Sequence, residues 1–180
     1  MSLLVLGPLL FLALLASSPA CAQTPEYDVK AAFLYNFARF VEWPENSFPD
    51  QNSPIVLCII GDDSFGDALE PIMEKGVAGR KLVIRRSSGV ENVKGCHMAF
   101  ISVSEKGRLP EMLNAFKDSS ILTVSDIERF ARRGGMIGFI TIGNKIRFEI
   151  NTDAAGLSNL RISSKLLRLA TDVLNSKEGR

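Results

Sequence analysis

Residues Ile55–Ile60 read IVLCII, six apolar side chains in succession, closed by Gly61. A strand with one wet face would alternate, so a run that is apolar on both faces needs cover above and below. That is the pattern of a central parallel strand held between helices. Leu82-Val83-Ile84 and residues 98–103 (MAFISV) repeat it, and residues 121–124 and 136–142 supply a fourth and a fifth strand.

Helical periods separate these runs. Over residues 27–43 the apolar positions Val29, Phe33, Phe37, Phe40 and Val41 recur at threes and fours, which predicts an amphipathic helix closed by Pro44. Residues 65–75 place Leu69, Ile72 and Met73 on one face, and Leu109–Phe116 does the same with Leu109, Met112, Leu113 and Phe116. Residues 127–133 form a short helix. Gly143-Asn144 makes a tight turn into Ile146, Phe148 and Ile150, which alternate with Arg147 and Glu149 as in a hairpin with one wet face. Leu160, Leu166, Leu167, Ala170, Val173 and Leu174 predict a closing helix over residues 160–174. The fold class is therefore α/β, a three-layer sandwich whose mainly parallel sheet carries an antiparallel hairpin at one edge.

The chain of 180 residues is 46% hydrophobic, with 21 Lys+Arg against 20 Asp+Glu, which suits one globular domain and excludes a disordered chain or a coiled coil. A net charge of +1 and no cationic run longer than a doublet, as at Arg85-Arg86 and Arg132-Arg133, give nucleic acid no footing. Ser2 to Ala16 is a Leu-rich apolar run followed by Ser17-Ser18-Pro19-Ala20-Cys21-Ala22, the small-residue pattern of a signal-peptidase site. Residues 1–22 are expected to be a signal peptide cleaved after Ala22, leaving residues 23–180 as one exported domain. Cleavage removes Cys21 and leaves Cys58 and Cys96 in a compartment where disulfides persist. The even pair invites a bridge, worth about 4 kcal/mol in the chain-entropy model. Two buried free thiols are the alternative.

Catalytic groups are scarce. His97 beside Cys96 could be imagined with Cys58 as a metal site or a Cys-His nucleophile pair, yet the usual CxxC spacing and a fourth ligand are missing, and a bridged cysteine cannot attack. Gly61-Asp62-Asp63-Ser64 opens a helix where a phosphate could sit, but two aspartates repel an anion, and Asp63 or Ser64 reads better as an N-cap. The acidic pair also resembles that of response-regulator receivers, but Ser102-Val103-Ser104-Glu105 supplies no phosphoacceptor aspartate. No nucleophile, base and oxyanion hole gather, so the reading is a non-enzymatic protein with no cofactor and no metal.

Two segments are more specific. Val29-Lys30-Ala31-Ala32-Phe33-Leu34-Tyr35-Asn36-Phe37-Ala38-Arg39-Phe40-Val41-Glu42-Trp43-Pro44 resembles the opening helix of the YfiR family. Phe148-Glu149-Ile150-Asn151, Ala155-Gly156-Leu157, Ile162-Ser163-Ser164 and Leu166-Leu167-Arg168-Leu169-Ala170 resemble its closing strand and helix. The resemblance implies a periplasmic regulator that represses an inner-membrane diguanylate cyclase through its periplasmic portion, lowering cyclic-di-GMP and biofilm formation. It further implies relief by an outer-membrane partner, such as a lipoprotein, and pairing as a homodimer. Family members with cysteines often bridge them, which fits Cys58 and Cys96.

Phe33, Phe37, Phe40, Leu166, Leu167 and Ala170 are read as core, whereas Asn36, Arg39, Glu42 and Trp43 are candidates for a partner-binding surface, Trp43 with the alternative of capping the core beside Pro44. A second reading is a small-molecule binding module whose crevice lies at the strand ends near Gly61 and Ser104. If the first three strands are ordered 2-1-3, the strand of Cys58 and the strand after Cys96 are neighbours about 4.8 Å apart, within reach of a disulfide.

Overall fold

The computed structural model describes residues 25–90 and 93–175 of the chain. The expected signal peptide and Cys21 lie outside them. In chain order the elements are α1 (Pro25–Phe40), β1 (Val41–Glu42), β2 (Ile55–Ile60), α2 (Glu70–Lys75), β3 (Leu82–Ser87), β4 (Met98–Ile101), α3 (Leu109–Phe116), β5 (Leu122–Ser125), β6 (Ile137–Ile142), β7 (Lys145–Asn151), α4 (Thr152–Leu157), β8 (Arg161–Ile162), α5 (Ser164–Leu167) and β9 (Asp172–Leu174). Seven strands form one sheet in the order β3-β2-β4-β5-β6-β7-β9, and β1 pairs with β8 in a small antiparallel sheet. Strands β3, β2, β4, β5 and β6 run parallel, so the first three follow the 2-1-3 order.

All six residues of β2 are buried, because the sheet is covered on both faces. Leu57 and Ile59 point into a core shared with Leu34 and Phe37 of α1, while Val56, Cys58 and Ile60 point into a second core with Met112 and Phe116 of α3. Period-2 alternation between two covered faces is the reason the run is apolar throughout.

Hairpin β6–β7 turns at Gly143 and Asn144, both with positive φ (52° and 60°). Two left-handed residues in succession match the twist of the flanking strands. Phe139 and Phe148 on its inner face meet Phe33 and Phe37, the closest pair being Phe37–Phe148 with ring centroids 5.1 Å apart. Gly135, just before β6, has no room for a side chain: a Cβ there would fall onto the ring of buried Phe130.

Local readings change at four places, the first being residues 127–133, where the expected helix is a turn followed by one 3-10 turn over Ala131–Arg133. Helix α1 stops at Phe40 rather than at Trp43, because the Phe40 carbonyl accepts the Ser163 amide at 2.9 Å and Val41 pairs with Ile162. The buried stripe of α1 is Ala31, Leu34, Phe37 and Ala38; Phe33 and Phe40 are half-buried against it, and Val29 is exposed. The single closing helix expected over residues 160–174 is instead β8, the four-residue α5 and β9. Ser163 is extended and its Oγ accepts the Leu166 amide at 3.3 Å, so it starts a helix and cannot lie inside one. Val173 then finds a strand partner in Ile150, and β9 extends the sheet one strand past the hairpin. Asp63 accepts the Phe65 amide (2.8 Å) two residues on, a side-chain turn ahead of the helical segment rather than its N-cap.

Candidate functional site

At the carboxyl ends of β4 and β5, against the first turns of α1, an open cleft of about 560 Å³ is lined by Tyr27, Lys30, Val103, Asp126, Arg129 and Thr141 among others. Its base is a charged cluster. The Lys30 side chain is only 3% exposed, yet Nζ reaches Glu26 Oε1 at 2.6 Å and Asp126 Oδ2 at 2.7 Å, and it stands 4.2 Å from the centroid of the Tyr27 ring. The Tyr27 hydroxyl donates to the same Asp126 oxygen at 2.9 Å, while Asp126 Oδ1 is buried without a hydrogen-bond partner among the described residues.

Burial opposes the Lys30 charge, but the hydrogen bonds from Asp126 and Glu26 outweigh it and hold the ammonium pKa above its ordinary value. Burial, aided by the Asp126 carboxylate, also raises the Tyr27 phenol. The cluster pins the start of α1 to the end of β5. Sequence reasoning missed it, though a signal was there. Lys30, Leu34 and Phe37 lie at i, i+4 and i+7 on one helix face, and a lysine in an apolar stripe needs a buried partner.

The opposite end of the sheet holds an uncharged counterpart. Cys58 and Cys96 are bridged, with Cα atoms 5.9 Å apart and both residues buried. Beside them His97 Nδ1 accepts the Val56 amide at 3.1 Å, and Nε2 donates to the Ser47 carbonyl at 3.1 Å. This is a neutral ring with each nitrogen committed. Burial pushes its pKa below the usual imidazole value, and nearby Arg80 pushes the same way. The ring stacks on Phe48 at 4.4 Å, with the Arg80 guanidinium 4.0 Å from the Phe48 centroid. His97 thus clamps the segment after β1 onto the sheet, and the bridge ties the loop before β4 to β2. Among the described residues no group of three or more His, Cys, Asp or Glu could hold a metal ion.

The expected crevice near Gly61 and Ser104 is filled. Ser104 Oγ accepts the Asp62 amide at 3.0 Å, and a Cβ on Gly61 would come within 2.5 Å of Ser104 Oγ and 2.8 Å of Glu105 Cγ. The open cleft lies one strand further along, beside β5. Of the four candidate partner-binding residues, Arg39 and Glu42 are exposed; the Arg39 guanidinium stands 5.5 Å from the Phe40 ring centroid, and Glu42 Oε2 pairs with exposed Arg161 at 3.5 Å. Asn36 is half-buried and donates to the Ala32 carbonyl of its own helix at 3.0 Å. Trp43 is half-buried and donates through Nε1 to the His97 carbonyl at 3.1 Å, which ties it to the clamp. No helix among the described residues is long and apolar enough to cross a membrane.

A family model described as YfiR/HmsC-like matches residues 27–171, from the first turn of α1 to the residue before β9. The chain belongs to this family. The disulfide and the YfiR/HmsC-like assignment together fit a periplasmic protein. The fold is similar to the crystal structure of a conserved domain protein from Vibrio cholerae O1 biovar El Tor str. N16961, with a TM-score of 0.55 at 11% identity. That match covers 82% of this chain and 60% of the Vibrio chain, so this chain spans somewhat more than half of that structure's length.

Proposed function

We propose that this protein is a periplasmic repressor of a membrane-bound diguanylate cyclase, lowering cyclic-di-GMP and with it biofilm formation. The observation that carries the reading is the family match over residues 27–171, which takes in nearly the whole described fold. The buried disulfide supports the periplasmic location. The same proposal includes export through a signal peptide of residues 1–22, a cyclase contacted on its periplasmic portion, an outer-membrane lipoprotein that relieves repression, and a homodimer. For the partner surface we put forward the C-terminal end of α1, with Asn36, Arg39, Glu42 and Trp43. Arg39 and Glu42 are the exposed charged members that a partner can reach, while Trp43 and Asn36 set the local shape.

Deletion in a strain with an intact cyclase is the test. Cyclic-di-GMP and surface attachment should rise several-fold, and Arg39→Glu at equal protein level should reproduce part of that rise. Unchanged cyclic-di-GMP on deletion defeats the reading. Light scattering that finds only monomer at high concentration removes the homodimer and leaves the rest standing.

A further inference from the structure

Strand β6 is longer than the neighbour that covers it. Parallel pairing with β5 ends at Ser125↔Gly138, after which the chain turns away through Asp126, while β6 continues to Ile142. Which backbone groups this leaves open depends on the hairpin register. In a two-residue hairpin the residues flanking the turn, Ile142 and Lys145, exchange hydrogen bonds, and bonded pairs recur at every second position. Ile140/Arg147 and Gly138/Glu149 are therefore bonded pairs, in phase with the Asn151 amide donating to the Met136 carbonyl at 2.7 Å. Phe139 and Thr141 direct their amides and carbonyls to the other side, away from β7. The last β5 pairing takes up the Phe139 amide. The carbonyl of Phe139 and both backbone groups of Thr141 are left facing the 560 Å³ cleft, with no strand beside them among the described residues.

We infer that this vacated lane is a docking site for one extended segment of the membrane partner, which enters between β6 and the Tyr27–Asp126 wall and pairs with Thr141 as an added strand. The inference rests on the partner-binding function proposed above and names the surface and the form of the partner. The chemistry matches on three counts. An extended backbone supplies the complementary donor and acceptor for Thr141. Val103, 51% exposed on the far side of the lane, and Ile142, 52% exposed at the end of β6, offer apolar area to side chains of the guest. The lining charges, Lys30, Arg129 and Arg132 against Glu26, Asp126, Glu128 and Glu149, nearly cancel with one carboxylate in excess, so the lane asks for no strongly charged guest. A second copy of this chain fits less well than a lone segment. Its own β6 is already backed by β7 and faced by its own wall, so it has no free strand to offer the lane.

Full-length protein in its own cells serves for the test. A photo-crosslinking residue replaces Thr141 or, as a control at the other edge of the sheet, Lys81 at the start of β3. The Thr141 probe should attach to one contiguous periplasmic peptide of a membrane protein, and the Lys81 probe should not. No adduct, scattered adducts, or an adduct to a second copy of this chain overturns the inference. Separately, Thr141→Pro deletes an amide that the hairpin does not use, so it should keep its melting temperature within about 3 °C and lose partner contact. Ile140→Pro breaks a hairpin bond and serves as the unstable comparison. If Thr141→Pro fails to fold, Val103→Arg fills the lane from an exposed position instead. Either folded variant should raise cyclic-di-GMP to the level of the deletion, and full repression by both defeats the lane. Should the deletion itself leave cyclic-di-GMP unchanged, the cyclase reading fails while the Thr141 adduct still decides whether the lane is occupied.

Discussion

Reducing the Cys58–Cys96 bridge should lower stability by about 4 kcal/mol, the chain-entropy value for a loop whose ends lie 38 residues apart. Neither sulfur has to leave its place: both cysteines are buried in the core on the α3 face, where two free thiols fill nearly the same volume. The cost therefore comes from the denatured chain, which regains the freedom that the link removed. For a domain of this size 4 kcal/mol corresponds to a fall in melting temperature of about 8–16 °C. The native state should loosen locally as well. Cys96 sits two residues before β4, held by its amide to the Val93 carbonyl at 2.9 Å, so residues 93–97 should gain hydrogen exchange before the β2–β4 ladder does. Thermal and urea unfolding followed by circular dichroism, with and without reductant, gives the number. A Cys58→Ala/Cys96→Ala variant should match the reduced parent and ignore reductant. A shift under about 1 kcal/mol, or two free thiols titrated in the unfolded, unreduced chain, refutes this reasoning.

Lys30→Met leaves Asp126 buried without its cation and should cost about 3–5 kcal/mol in urea unfolding, while adding Asp126→Asn should recover part of that; additive losses would mean the pair is not coupled. For His97 the folded pKa lies below the unfolded one, so the unfolded chain takes up the proton first. Stability should hold above about pH 6.5, decline as pH falls below it, and level off once the folded pKa is passed. The decline should vanish in His97→Gln, and a flat profile between about pH 7 and about pH 5 in the parent chain would contradict the neutral, doubly bonded ring. Gly135→Ala forces a methyl group onto the Phe130 ring and should cost about 2–3 kcal/mol by calorimetry, with a neutral result showing that Phe130 can move aside.

The strands were legible because burial between two layers leaves a continuous apolar run, and only such cover tolerates IVLCII. The hairpin was legible for a neighbouring reason: Gly143-Asn144 favours the left-handed turn, and alternation beyond it marks one dry face. Leu109–Phe116 appears as read, because a short helix with one buried stripe declares its period. Where the local signal was compatible with two outcomes, reading failed. Leucines at helical spacing over residues 160–174 fit a helix, but Leu169 is 62% exposed, and the capping of Ser163 and the open edge of β7 pull the segment into strand, turn and strand.

Sequence by itself thus determined the layered α/β class, the parallel run of strands, the two cysteines placed for a bridge and the family, since each is written in spacing or in contiguous motif. Tertiary structure alone decided that Lys30 meets Asp126 across 96 positions of chain, that Trp43 serves the His97 clamp, that Ser104 and Glu105 fill the expected crevice, and that β6 outruns β5 to leave an open edge. Local spacing fixes which face of a helix or strand is dry. Which distant residue arrives at that face, and how far one strand overlaps the next, depends on the register between elements, which no single segment encodes.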